Sequence, residues 1–128
     1  MVCNKSGEAT TLNNIGLVYQ SIRQPTKALE LYEQALPITT EVGNKSGEAF
    51  TLSNMGGTFR LIGQPNKSLQ LLEQALPTLR EMGDKSSEAT TLNNMSSMFR
   101  QIGQPTKALE LFEKLFQYSE KWMISPEK

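Results

Sequence analysis

Histidine is absent from the 128 residues, and cysteine occurs once, at Cys3. Without an imidazole there is no general base to activate a serine or cysteine, so no Ser–His or Cys–His nucleophile can be assembled. Metal ligation is left to carboxylates, amides and one thiol, and these form no EF-hand spacing. A single cysteine excludes an intrachain disulfide. Neither sign of charge is in excess, with 13 Lys and Arg against 13 Asp and Glu. The chain therefore has no net field to draw it to nucleic acid or to an anionic membrane. Apolar runs fall short of the roughly 18–20 residues that span a bilayer, and the amino terminus turns polar at Asn4, unlike a secretory signal. These absences predict a soluble, cytoplasmic, non-catalytic protein with no cofactor, no bound metal, and neither nucleic acid nor membrane as partner.

What is present is repetition. NKSGEATTLNN begins at Asn4, NKSGEAFTLSN at Asn44 and DKSSEATTLNN at Asp84. More than half of the positions in 3–42 recur in 43–82, and the third copy follows the second through Glu113 before departing. A fixed interval of this length marks a repeat array. The first half of the second copy carries Ala49, Leu52, Met55, Phe59 and Ile62, and the second half carries Leu69, Leu72, Ala75 and Leu76. Steps of three and four predict amphipathic helices. Gly63 and Gly103 suit the left-handed residue that ends a helix, and Pro25, Pro65 and Pro105 suit the first turn of the next. Gly43-Asn44 and Gly83-Asp84 read as the stop of one copy and the N-cap of the following one. Each copy is thus a helical hairpin that cannot bury its apolar stripe alone, and stacked neighbours can.

Leu12-x-x-Ile15-Gly16-x-x-Tyr19, followed by Ala28-x-x-x-Tyr32-x-x-Ala35, resembles the tetratricopeptide pattern. The second copy matches at Leu52, Met55, Gly56, Phe59, Leu72 and Ala75, with Ser68 in place of an alanine. The third matches at Leu92, Met95, Phe99, Ala108 and Phe112, and departs at Ser96 and Leu115. The 40-residue spacing exceeds the usual period of about 34. It resembles the long-hairpin branch seen in kinesin light chain, in Leu-Gly-Asn repeat proteins and in bacterial arrays often joined to signalling or protease domains. HEAT repeats share a longer period but lack the Gly-x-x-Tyr and Ala-x-x-x-Tyr signatures. The resemblance implies an all-α, right-handed α-solenoid of three helix-turn-helix repeats and six helices. It forms a single domain over 1–128, with repeats at about 3–42, 43–82 and 83–123 and a tail at 124–128. Gly16, Gly56, Ala28, Ala35 and Ala75 are then expected where helices approach closely.

A projection at 100° per residue places Ala9, Leu12, Ile15, Tyr19 and Ile22 on the core side of the first helix. Thr10, Asn14, Leu17 and Ser21 fall on the opposite side. The matching stripes are Phe50, Asn54, Gly57 and Leu61, and Thr90, Asn94, Ser97 and Gln101. In the families resembled, this stripe lines a concave groove that holds extended peptides. The asparagine matching Asn14, Asn54 and Asn94 grips the peptide backbone there, with Asn13 and Asn93 beside it. An amide offers a donor and an acceptor, so it can meet both groups of a peptide unit. Leu17, Phe50 and Leu61 would read apolar side chains, and Arg60 and Arg100 at the edge would pair an acidic one. A second explanation of the recurring asparagine stays open: recent duplication of a polar, exposed face.

Other signals point to structure. GQPNKS at Gly63 and GQPTK at Gly103 lack the second glycine of a phosphate loop and follow no strand, so they read as inter-helix turns. NKS at Asn4, Asn44 and Asn66 and NMS at Asn94 fit a glycosylation sequon but read as caps and turns. Arg23 stands where the other copies have glycine, which predicts strain and a looser first hairpin. Pro37 and Pro77 are each expected to kink or end the second helix of their copy. In the third copy Gln117 replaces them, so that helix is expected to run on through Trp122 to Pro126. The chain starts in phase with a repeat and closes without a polar capping helix, which motivates an alternative reading. It would be a self-assembling unit, a homo-oligomer built by stacking or hairpin exchange, or part of a larger signalling protein. Leu115, Tyr118 and Trp122 share a face and are the candidate self-association contacts.

Overall fold

The computed structural model describes residues 4–113. Its helices are α1 (Lys5–Ser21), α2 (Pro25–Glu41), α3 (Lys45–Leu61), α4 (Pro65–Glu81) and α5 (Lys85–Gln101). A sixth, α6, opens at residues 105–113. The helices pair as antiparallel hairpins α1–α2 and α3–α4, and α5 continues into α6. Hairpins stack so that α2 meets α3 and α4 meets α5. The architecture is an all-α tetratricopeptide-like solenoid.

Local chemistry repeats with the sequence. Asn4, Asn44 and Asp84 cap α1, α3 and α5, accepting from the backbone N–H of Gly7, Gly47 and Ser87 at 2.9, 2.9 and 3.1 Å. The third copy strengthens its cap. The Ser87 hydroxyl also donates to Asp84 at 2.7 Å, and this bond and the backbone one hold the Asp84 carboxyl below its usual range. Pro25 and Pro65 sit at the start of α2 and α4, where no N–H is needed. Between helices, Arg23, Gly63 and Gly103 take φ of 63°, 78° and 80°. The following N–H turns back to Tyr19, Phe59 and Phe99 carbonyls, the signature of a Schellman stop. Lys27, Lys67 and Lys107 lie over the rings of Tyr19, Phe59 and Phe99 at 5.5, 5.4 and 5.6 Å, clasping each hairpin near its turn.

Small residues allow the hairpins to close. A Cβ at Gly16 would sit 2.4 Å from the Tyr32 ring, and one at Gly56 would sit 2.8 Å from Leu72. Ser96, at the same position in α5, is fully buried, and its hydroxyl lies 3.5 Å from the Ala108 carbonyl. Hairpin–hairpin packing supplies the rest of the core. Ala28, Tyr32 and Met55 form one cluster, and Leu69, Leu72, Leu76, Leu92, Met95 and Met98 form a larger one.

Two expectations need correction. Of the kink or stop expected at Pro37 and Pro77, the stop does not occur, and the helices run four residues further. Both prolines are exposed, while Thr39 and Leu79 beyond them are buried. Tertiary packing of that last turn, about 1.5–3 kcal/mol for a buried leucine, holds it against the lost backbone bond. Ile15 and Ile22 are not core. Ile15 is 41% exposed, against 7% for Met55 and 3% for Met95, and Ile22 is exposed too. In α3 and α5 this side is covered by the preceding hairpin, and among the described residues none precedes α1. Cys3, Leu115, Gln117, Tyr118 and Trp122 lie outside the described residues.

Candidate binding groove

The first helix of each hairpin packs against its second helix and its neighbours and leaves one stripe exposed or half-buried. That stripe carries Thr10, Asn14, Leu17 and Ser21 on α1. On α3 it carries Phe50, Asn54, Gly57 and Leu61, and on α5 Thr90, Asn94, Ser97 and Gln101. All twelve are exposed or half-buried. Leu17, Phe50 and Leu61 keep 45, 44 and 55% of their surface in water, although each is a side chain that burial would stabilise.

Hydrogen bonding separates the asparagines from the threonines and from Ser21 on the stripe, though not from Ser97 and Gln101, which are unengaged as well among the described residues. Thr10 and Thr90 donate to the carbonyls of Ser6 and Ser86 at 3.0 and 2.9 Å, and Ser21 donates to Val18 at 2.7 Å. Their protons are held by their own helix. The side-chain amides of Asn14, Asn54 and Asn94 make no hydrogen bond to the protein among the described residues. Each therefore presents a free donor and a free acceptor, one per hairpin, on the same face.

Asn13 is placed differently. Its amide donates across the seam to Thr51 at 2.9 Å, and its oxygen is buried without a partner. Ser53, its counterpart in α3, is likewise buried and unpaired at its hydroxyl, while Asn93 is exposed. Arg60 and Arg100 are exposed and make no ion pair among the described residues. Their counterpart in α1 is Gln20, whose oxygen accepts from the Tyr32 hydroxyl at 3.0 Å and the Thr58 hydroxyl at 2.9 Å. That network locates the position at the inter-hairpin seam, so the two arginines stand beside the stripe. Tyr32 is fully buried, and its desolvation pushes the phenol up to about 12 against the opposing pull of Thr58.

The sequence reading missed a distinction between the adjacent glycines of α3, Gly56 and Gly57. Gly56 is required by Leu72, but a Cβ on Gly57 would meet nothing within 4 Å. A helix-interior glycine costs about 0.5–1 kcal/mol relative to alanine, and at Gly57 the fold gains nothing in return. The doublet GG in place of GL at Gly16-Leu17 was the signal available. Among the described residues no three His, Cys, Asp or Glu side chains converge as a metal site, and no helix is long and apolar enough to cross a membrane.

The sequence pattern of the tetratricopeptide repeat matches residues 7–81 and again 89–121. The chain belongs to the tetratricopeptide repeat family. Two solved structures show the same fold. The tetratricopeptide domain of Arabidopsis FLU is 15% identical with a TM-score of 0.81, over 91% of this chain and 98% of that one. BtubC (BKLC) from P. vanneervenii is 18% identical with a TM-score of 0.82, over 92% of this chain and 49% of that one. A search of curated proteins finds no significant match. Tetratricopeptide domains are generally protein-interaction modules and typically non-catalytic.

Proposed function

We propose that this tetratricopeptide domain is a non-catalytic cytoplasmic scaffold that holds an extended peptide segment of another protein along α1, α3 and α5. The observation that carries the reading is the set of three unengaged amides, Asn14, Asn54 and Asn94, one per hairpin on a common exposed face. Each can accept from one backbone N–H and donate to one backbone carbonyl of an extended chain. Leu17, Phe50 and Leu61 supply apolar contact, with Asn13, Asn93, Arg60 and Arg100 at the margins. Residues 1–128 act as one solenoid unit on this reading.

The test is replacement of Asn14, Asn54 and Asn94 by alanine together, with affinity measured by anisotropy against peptides selected on the intact chain from a displayed library. Each lost bond is worth roughly 0.5–1.5 kcal/mol, so affinity should fall by at least about tenfold. Unchanged affinity with native helicity would overturn the ladder.

A second reading, self-association, is favoured by a separate observation. Ile15, Val18 and Ile22 form an exposed apolar stripe on α1, and Leu109 and Phe112 are exposed on α6. Their counterparts Met55, Met95, Leu69 and Leu72 are all buried between hairpins. One copy's α6 can therefore stack on another's α1 as α2 stacks on α3. Leu115, Tyr118 and Trp122 would extend that contact. Sedimentation across the micromolar range that shows only monomer counts against it.

A further inference from the structure

We propose that the groove takes a peptide stretch free of charged side chains, with one bulky apolar side chain seated over Gly57. This rests on the peptide-binding reading above and names the class of ligand.

Electrostatics favours an uncharged ligand. One residue in five of the chain is charged, yet none of the twelve positions on the groove stripe is. Lys and Glu gather instead at the helix starts, as at Lys45 and Glu48, and on the second helices. A ligand lysine or glutamate laid on this stripe would lose water without gaining an opposite charge, which is unfavourable. Backbone groups fare better, because the asparagines meet them. The nearest cations, Arg60 and Arg100, stand at the seams, and no carboxylate lies on the stripe at all. A basic ligand is therefore the worst match, and an acidic one is served only at the edge.

Steric room favours a bulky side chain at Gly57. Phe50, Gly57 and Leu61 fall at i, i+7 and i+11 on α3, one face of a helix. The exposed Leu61 thus stands one turn beyond a position with no side chain, Asn54 one turn before it, and the exposed Phe50 one turn further back. Gly57 is not required by a turn, since its φ is not positive, nor by a close neighbour, since a Cβ there would meet nothing. The same position is Leu17 in α1 and Ser97 in α5, so the floor of the groove is lowest in the central hairpin. A half-buried, uncharged gap between Asn54 and Leu61, with the Phe50 ring one turn beyond, fits a leucine, methionine or phenylalanine side chain of the ligand whose backbone the Asn54 amide can meet.

The experiment selects random dodecapeptides displayed on phage against the intact chain. Synthetic copies of the enriched peptides are then titrated by anisotropy against the native chain, Gly57→Leu, the double Arg60→Gln/Arg100→Gln and the triple asparagine variant. The expected result is a pool depleted in Asp, Glu, Lys and Arg with one recurring large apolar residue. Gly57→Leu should weaken binding at least about tenfold while its melting temperature stays at or above the native value, so lost binding cannot be ascribed to lost fold. The arginine variant tests for an acidic ligand side chain at the groove's edge, which this class of ligand lacks. Enrichment of acidic peptides that lose affinity with the two arginines would overturn the uncharged class but leave the groove standing. Uncharged peptides that bind Gly57→Leu as tightly as the native chain would overturn the seat. Enriched peptides that bind the triple asparagine variant unchanged would overturn the ladder while leaving the ligand class to be judged on composition and Gly57 alone. A pool with no enrichment would overturn both the groove and its ligand.

Discussion

Neighbouring residues of one type have unlike roles in this protein. Gly56 and Gly57 share a sequence context, but one lies under Leu72 and the other under open space. Alanine at Gly56 should destabilise by about 1–3 kcal/mol through overpacking. Alanine at Gly57 should stabilise by about 0.5–1 kcal/mol through helix propensity. Urea denaturation midpoints of the two variants should move in opposite directions. Tyr32 offers a pH test. Its folded pKa is raised to about 12 from an unfolded value of 10.0, so the neutral phenol is the form the fold favours. The stabilisation linked to it is complete below pH 10 and is lost as pH rises from 10 toward 12. Tyr32→Phe should flatten the decline of melting temperature in that window while sacrificing the bond to Gln20. At this scale the sequence was partly legible. Gly16 and Arg23 could be understood by comparison with their copies forty residues on. Asn13 and Asn14 could not be told apart, because only the packed seam shows that Thr51 meets the first and not the second.

Helix boundaries were almost wholly readable, since caps, turn glycines and N-terminal prolines recur in step. The exception is instructive. A proline a dozen residues into α2 and α4 is locally a stop signal, and the helix continues because residues past it are buried between hairpins. Local rules lose there to contacts that arise only after stacking. Pro77→Ala restores the missing N–H to the ladder and removes the ring clash, a gain of up to about 3 kcal/mol. It also frees the unfolded chain, which returns roughly 0.4–1 kcal/mol of that gain. The net expectation is a more stable protein, read as a higher midpoint in urea with an unchanged slope. An unchanged or lowered midpoint would show that α4 is already bent to suit its proline. At the other junction element, Arg80 donates to the buried Glu88 at 2.7 Å, where the first junction uses the Thr40 hydroxyl on Glu48. The third hairpin is thus tied to the second by an ion pair and the second to the first by a hydroxyl–carboxylate hydrogen bond.

Across the whole molecule, stability is the sum of hairpins and the seams between them, and these are not equal. The first hairpin leaves Ile15, Val18 and Ile22 in water and holds Arg23 at a φ of 63°. Its seam centres on Ala28, Tyr32 and Met55, whereas the second seam gathers six leucines and methionines. Amide hydrogen exchange should find α1 and α2 opening before α3 and α4. Arg23→Gly should narrow that difference and raise stability by about 1 kcal/mol. Equal protection of both hairpins would contradict this ranking. Arg23 gave part of this inequality away in the sequence, but the uncovered Ile15, Val18 and Ile22 did not show there, because burial depends on which neighbour a copy receives.

The seams carry one more consequence. A chain that repeats itself has many ways to fold wrongly, since any hairpin can try to dock on any other, and such traps are a known hazard of repeat architectures. Here the two joints are cut to different patterns. Gln20, Tyr32 and Thr58 interlock by hydrogen bonds, while the corresponding Leu72 and Met98 meet as hydrocarbon. Docking the third hairpin on the first would set Met98 against the amide of Gln20, and inserting the second twice would bring Arg60 against Thr58. Each error strands a polar group that the correct order satisfies. The order of the hairpins is therefore written at the joints, in the few positions where the copies disagree, and shuffling them would scramble a code that their likeness conceals.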